Sequence, residues 1–279
     1  MDIGISMFAT DYAMRPDDLA AACEARGFES IWFPEHTHIP ANRLSPWPGG
    51  SELPKEYWHT HDLFIALMAA AGATKKIKIG SGICLVIERD PIVMAKEVAT
   101  VDQLSNGRLI FGIGGGWNAE EMENHGTPFK KRWKVLRERI EAMKEIWANE
   151  EAEYHGEFTN FDKIWSYPKP VQKPHPPILL GTFNGGLKRV VNYCDGWIPT
   201  GFNPGMLPDS IKELQALAAQ AGRPPVPVSV FGSSPKEEDL AKHQELGIER
   251  AVLMLPSADK DTLMPMLDDY ATLIPKFAS

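Results

Sequence analysis

The sequence predicts an α/β protein folded as a (β/α)8 TIM barrel. Short β-rich runs and longer amphipathic runs alternate from one end to the other, eight of each. Several of the β-rich runs stop at glycines, where a parallel barrel opens onto its active site. The chain has 279 residues, and barrels of this kind form one domain at about 250. One domain over 1–279 is therefore expected, with a long loop after strand 2 and another before strand 5. A doubly wound open sheet is the competing architecture for the same alternation.

The strands are expected at Ile3–Phe8, Ser30–Phe33, Ile77–Ser81, Leu109–Ile113, Ile178–Leu180, Gly196–Pro199, Val226–Phe231 and Ala251–Leu255. These runs are rich in β-branched and aromatic residues. The helices between and after them are expected at Pro16–Arg26, Asp62–Ala73, Pro91–Leu104, Phe129–Asn149, Leu187–Tyr193, Met206–Ala221, Lys236–Leu246 and Lys260–Leu273. Asp90-Pro91 reads as an N-cap followed by proline at the first helical position. Ser105-Asn106-Gly107-Arg108 ends that helix with residues that tolerate left-handed backbone. The turn lies on the face opposite the active site, so its role is structural. Pro34–Thr60 carries five prolines and three histidines and follows strand 2, so it should cover the pocket. Glu150–Pro177 ends in a proline-rich run that fixes an extended path into strand 5.

Hydrophobic content of 43% and charged content of 24% describe an ordinary globular chain. A net charge of −8 argues against nucleic acid or an anionic membrane as partner. Cys23, Cys84 and Cys194 are scattered, which is neither a disulfide framework nor a zinc spacing. The N-terminus has no signal-peptide pattern, and the longest apolar stretch, Leu63–Ala73, is too short to span a bilayer. A cytoplasmic location is expected.

In a parallel barrel the residues just after each strand face the ligand. Strand 2 is followed by Pro34-Glu35-His36-Thr37-His38, which makes His36 a candidate for proton transfer near neutral pH. The alternative is a histidine that only hydrogen-bonds its loop. Strand 3 ends in Gly80-Ser81-Gly82-Ile83, a place for close backbone approach to a ligand or for a bulge that closes the barrel. Strand 4 ends in Gly112-Ile113-Gly114-Gly115-Gly116-Trp117-Asn118. The dinucleotide fingerprint Gly-x-Gly-x-x-Gly is not met there, because its third glycine would fall at Trp117. A flat glycine surface beside a planar cofactor fits better, with Asn118 offering a donor and an acceptor to ring edges.

Strand 5 is followed by Gly181-Thr182-Phe183-Asn184-Gly185-Gly186 and a helix, a phosphate-binding arrangement of backbone N–H groups or an ordinary βα turn. The pairs His36/His38 and His59/His61 invite a metal reading. Metal-dependent hydrolases with this fold place His-x-His after strand 1, whereas here that position reads Ala9-Thr10-Asp11, so the donor set is poor.

These residues resemble the luciferase-like monooxygenase superfamily, and within it the F420-dependent oxidoreductase branch. The resemblance spans nearly the whole chain. It rests on Trp32-Phe-Pro-Glu-His36, Gly80 to Ile83, Pro91 to Asp102, Leu104 to Trp117 and the proline run into Leu180-Gly181. It implies a deazaflavin or flavin ring stacked over a non-proline cis peptide at Gly82-Ile83. It places His36 as the proton partner beside the reactive carbon. Glu35, Gly116 and Asn118 would lie at the ring, and Thr182, Phe183, Asn184, Gly185 and Gly186 at the cofactor phosphate. Gly115 stands where sugar-phosphate-oxidising relatives carry a catalytic glutamate, which speaks against that substrate class.

The activity expected from this resemblance is hydride transfer between F420, or else FMN, and a small organic substrate. An FMN monooxygenase fed by a separate flavin reductase and a non-catalytic flavin-binding protein are the other readings. A basic rim of Lys169, Lys173, Lys188 and Arg189 would suit the carboxylates of the F420 tail. Trp47, Tyr57, Trp58 and Trp117 suggest an aromatic pocket or ordinary packing. A homodimer is expected from the resemblance and from the commonness of two-fold oligomers.

Overall fold

The structure, a computed structural model, describes residues 1–182, 184–200 and 204–277. In chain order its first half comprises β1 (Asp2–Ser6), α1 (Pro16–Ala25), β2 (Ser30–Phe33), α2 (Glu56–His59), α3 (Leu63–Ala73), β3 (Lys78–Ser81), α4 (Pro91–Leu104) and β4 (Leu109–Gly114). Next come α5 (Ala119–Asn124), α6 (Arg132–Ala148), β5 (Glu151–His155), β6 (Asn160–Trp165), β7 (Ile178–Gly181), α7 (Leu187–Tyr193) and β8 (Gly196–Ile198). The chain then forms α8 (Leu207–Gln220), β9 (Ser229–Phe231), α9 (Glu237–Glu245), β10 (Arg250–Met254), α10 (Lys260–Ala271) and α11 (Ile274–Phe277).

Eight of these strands pair in parallel in the order β8-β7-β4-β3-β2-β1-β10-β9. The two ends of that row meet through bridges from Trp197 to Val228 and from Thr200 to Phe231, so the sheet closes into a (β/α)8 barrel. The open sheet is thereby ruled out. All eight barrel strands fall within a few residues of the runs predicted for them.

Period-two alternation sorts the strand side chains into two layers. Ile31, Phe33, Leu109, Phe111, Ile113, Ile178, Leu180, Trp197, Val230, Ala251 and Leu253 join the large apolar layer under the helices. Their alternates, Trp32, Ile110, Leu179, Ile198, Phe231 and Val252, form a separate cluster that fills the barrel. Trp32 and Phe231 meet edge to face, 5.2 Å between centroids. The backbone at Gly80 lies so close to Trp32 that a Cβ there would stand 2.2 Å from the indole ring. That glycine therefore makes room for the largest side chain in the barrel.

The floor of the barrel is ionic. Arg250, 2% exposed, is held by Glu29 and by Ser229 Oγ. Burial alone would raise the Glu29 carboxyl, but the hydrogen bonds and charge of Arg250, with Lys78 and Ser30, hold it down at about 2. The turn after α4 is structural, as its position implied. Asn106 and Gly107 take φ of 58° and 75°. The Arg108 guanidinium then binds the carbonyls of Ala71, Thr74 and Ile77, tying α3 to the floor.

The short helices α2 and α11 were not foreseen, and neither was a hairpin. The stretch before the fifth barrel strand is not merely a connector: β5 and β6 form an antiparallel hairpin. Its Ala152 is buried and Phe161 and Ile164 lean on the core, while most neighbours are exposed and charged. That charge hides the strand pattern in the sequence. The hairpin turn is fixed by Glu138 of α6, whose Oε2 accepts the N–H groups of Phe158 and Thr159. Among the described residues no helix is long and apolar enough to cross a membrane.

Candidate active site

The C-terminal ends of β2, β3, β4 and β7 bring together most of the residues singled out in the sequence. Their local geometry begins with Gly82-Ile83, which is a cis peptide, as the resemblance implied. Gly82 N–H donates to Phe33 O, and Ser81 Oγ–H donates to Gly112 O, so this turn is bonded to both flanking strands. The Ile83 side chain is wedged between the ends of β4 and β7. A Cβ at Gly114 would stand 2.5 Å from Ile83 Cδ1, and one at Gly181 would stand 3.0 Å from Ile83 Cγ2. The two strand-end glycines therefore seat Ile83.

His36 follows β2 and is nearly enclosed, its side chain 7% exposed. Its Nδ1 lies 2.7 Å from Oε2 of Glu121 on α5, and the other oxygen of Glu121 accepts Thr37 N–H at 3.1 Å. The imidazole is walled by Tyr57, 5.0 Å away, and Trp117, 5.8 Å away. Phe8 and Trp47 extend this aromatic group through Tyr57, and Arg43 lies over Trp117. Trp58, by contrast, is half exposed and packs on His59. The long loop after β2 does cover this end of the barrel. Glu120 accepts from the backbone N–H groups of Leu44 and Ser45, and Thr60 Oγ–H donates to His36 O.

Glu35 is buried but does not face the mouth as a ligand. One oxygen accepts from Arg89 Nε and the other from Leu85 N–H, each at 2.7 Å. The carboxylate thus anchors the segment that carries Gly82-Ile83. Glu88 is a third enclosed carboxylate, beside the Thr37 hydroxyl. Burial, then the charges of Glu121 and Glu35, push its carboxyl well above the usual carboxylate range. The Thr37 hydroxyl also contacts His38 Nδ1 and His125 Nε2, at 2.9 and 2.8 Å.

Three histidines of the two His-x-His pairs go to separate partners. His36 goes to Glu121, His38 to Thr37 and Asn124, and His59 to Asp11. Among the described residues no group of three or more His, Cys, Asp and Glu is placed to hold a metal ion.

Asn118 caps α5, its Oδ1 accepting from Glu121 N–H. Its Nδ2 is buried without a hydrogen-bond partner among the described residues. Gly116 beside it has φ of 66°. At the end of β7, Thr182 and Gly186 are in close approach, a Cβ at Gly186 falling 2.0 Å from Thr182 Oγ1. A short 3-10 turn, Asn184–Gly186, leads into α7. Phe183 and the side chain of Asn184 lie outside the described residues. An orphaned amide, an open turn at Gly185 and an aromatic wall fit a planar ring with a phosphate arm.

The expected basic rim is corrected. Lys169 donates to Ile146 O and Asn149 O at the C-terminal end of α6, on the floor side, where burial and then the charge of Lys173 lower its ammonium. Only Lys188 and Arg189 stand at the mouth. There they are joined by Lys130, Lys131 and Arg132 at the start of α6, with Arg189 lying over the Trp133 ring and Arg132 over Phe129.

Sequence reasoning missed Glu121 and Glu88. Asn118-x-x-Glu121 matches a helix-capping pattern, in which the glutamate turns back to the cap backbone. Here Glu121 reaches across to His36 and Thr37 instead.

The luciferase-like monooxygenase family profile matches residues 11–243. An uncharacterized protein of Mycobacterium tuberculosis (strain ATCC 25618 / H37Rv) is 38% identical over 94% of either chain. The FMNH2-dependent dimethylsulfone monooxygenase of Pseudomonas putida is 30% identical over 58% of this chain and 46% of its own. Among solved structures, monooxygenase RslO1 from Streptomyces bottropensis superposes with a TM-score of 0.81 at 19% identity, covering all of both chains. An F420-dependent secondary alcohol dehydrogenase bound to an F420-acetone adduct gives 0.78 at 21%, covering 100% of this chain and 99% of its own. At these identities the superpositions speak for the fold alone.

Proposed function

Because the chain belongs to the luciferase-like monooxygenase family, we propose that it is an oxidoreductase that uses F420 to move a hydride to or from a small organic substrate, with His36 as the proton partner. The observation that carries this is the enclosed His36–Glu121 pair at 2.7 Å, at the same end of the barrel as the cis Gly82-Ile83 turn. When bound, the cofactor supplies the hydride donor or acceptor. The chain's own residues bind and orient it. Gly82, Ile83 and Gly116 would give the ring a surface free of polar side chains, and the unpaired Nδ2 of Asn118 would donate to a ring edge. Thr182, Phe183, Asn184, Gly185 and Gly186 would hold the phosphate. Glu35 supports the turn rather than the ring. Tyr57 and Trp117 keep water from His36, which strengthens each polar contact there.

Five cations at the mouth, Lys130, Lys131, Arg132, Lys188 and Arg189, favour the carboxylate-bearing tail of F420 over FMN. Titration of the purified protein with each cofactor, read by tryptophan fluorescence, tests this. Tight F420 and weak FMN binding is expected, and binding of neither overturns the reading. The second reading is an FMN-dependent monooxygenase with a separate reductase, favoured by the 30% identical dimethylsulfone monooxygenase. Oxygen consumption with reduced flavin singles it out. A homodimer is carried over from the family resemblance, and light scattering tests it.

A further inference from the structure

The bond between His36 and Glu121 fixes more than a loop. A carboxylate only accepts, so Nδ1 of His36 carries the hydrogen, and in the neutral ring the lone pair falls on Nε2. Nε2 makes no hydrogen bond with any described residue. Glu121 is 1% exposed, and His36 is its sole ion-pair partner among the described residues.

The other groups around the pair are accounted for. Glu35 is matched by Arg89, and Arg89 also serves Asp62. Glu88, its carboxyl pushed up by burial and by the charges of Glu121 and Glu35, sits behind Thr37 with His38 and His125. Tyr57 faces the imidazole, and Arg43 lies beyond Trp117.

We propose that Glu121 is the positioning residue of His36. It holds the Nδ1–H tautomer, leaves Nε2 free for the substrate, and balances the imidazolium that forms when Nε2 takes a proton. This rests on the reading of His36 as proton partner. In alcohol oxidation the substrate C–H leaves as hydride to the oxidised cofactor, the O–H proton goes to Nε2, and a C=O bond forms. In the reverse direction Nε2–H returns the proton. Neither step moves the proton on Nδ1. An acid–base histidine oriented by a buried carboxylate follows the general logic of such pairs.

The test uses protein labelled with 15N-histidine, alone and with F420, together with Glu121→Gln, Glu121→Asp and His36→Ala. Long-range 1H–15N spectra of the unsubstituted protein should show hydrogen on Nδ1 of His36. Glu121→Gln should move that hydrogen to Nε2, because one amide oxygen cannot serve both Thr37 N–H and the ring. With isopropanol and cyclohexenone as probes, kcat should fall about a hundredfold or more. KM and the F420 dissociation constant should change less than about threefold, and Glu121→Asp should recover part of the loss. Hydrogen on Nε2 and none on Nδ1 in the unsubstituted protein, or an unchanged tautomer in Glu121→Gln, overturns the role of Glu121. Unchanged turnover in His36→Ala overturns the proton-partner reading instead.

Discussion

Arg250 and Glu29 form a two-point ion pair under the barrel, Nε and Nη2 donating to the two carboxylate oxygens at 2.6 and 2.7 Å. The pair joins β10 to the residue that precedes β2, across β1. Glu29 is held at about 2 against burial, mainly by Arg250. A depressed carboxyl contributes stability that is present above its unfolded value and lost as pH falls through its folded value. The contribution should therefore disappear between about pH 4.5 and 2. A shift of that size corresponds to roughly 3 kcal/mol. Glu29→Gln should cost about 3–5 kcal/mol at pH 7, since it leaves Arg250 buried and unmatched. Urea unfolding at a series of pH values checks both expectations.

Glu88 has the opposite sign. Its folded carboxyl is pushed up to about 9, so the folded state keeps a proton that the unfolded chain releases. Stability is then fullest below the unfolded value and declines as pH rises from about 4.5 toward 9. Glu88→Gln should flatten that decline, so that its Tm exceeds that of the unsubstituted protein at pH 8.5 and approaches it at pH 5. Thermal melts at the two pH values decide it.

His36→Ala should leave F420 binding within about threefold while lowering kcat by about 10² to 10⁴, the usual worth of a positioned acid or base. Fluorescence titration and steady-state kinetics separate the two effects.

Gly114→Ala places a methyl 2.5 Å from Ile83 Cδ1. The expected cost is about 1–3 kcal/mol, with weaker cofactor binding as Ile83 is displaced. Ile83→Val in the same chain should recover part of both losses, because it removes the atom that is struck. Denaturant melts and a cofactor titration of the double variant provide the check.

Arg132→Ser with Arg189→Ser should weaken F420 binding about tenfold or more and leave FMN binding nearly unchanged. High salt should reproduce the loss in the unsubstituted protein, because exposed charges are screened. Loss of both cofactors alike would assign these arginines to the common phosphate rather than the F420 tail.

The barrel was legible because β-rich and amphipathic runs alternate cleanly along the chain, although side-chain direction within a strand was not. Ile31, Trp32 and Phe33 are all apolar, yet the sheet sends Trp32 inward and its neighbours outward. Caps such as Asp90 announce themselves locally, and Asp90 does accept from Ile92 and Val93 N–H. The β5–β6 hairpin was not legible, since Glu151, Glu153, Asp162 and Lys163 along it interrupt the apolar pattern of a strand. Position after a strand was enough to place His36 and Asn118 at the C-terminal end of the barrel. Partnership was not, because the link from His36 to Glu121 crosses 85 residues of chain. Glu35 and Lys169 show the same gap from the other side. Both have the right charge for a ligand, but each is spent on a neighbour that only folding brings near.

The loop between Pro34 and Thr60 is tied at its middle, where Glu120 holds Leu44 and Ser45, and at its end, where Thr60 pairs with Thr10. The stretch between those ties carries Tyr57 against His36 and Trp47 against Tyr57, and it contributes no strand to the barrel. Evolution can therefore revise what the mouth admits without renegotiating the scaffold. A lineage could move among substrates by trading residues on the stretch between Ser45 and Thr60 while His36 and the chemistry beneath it stay the same.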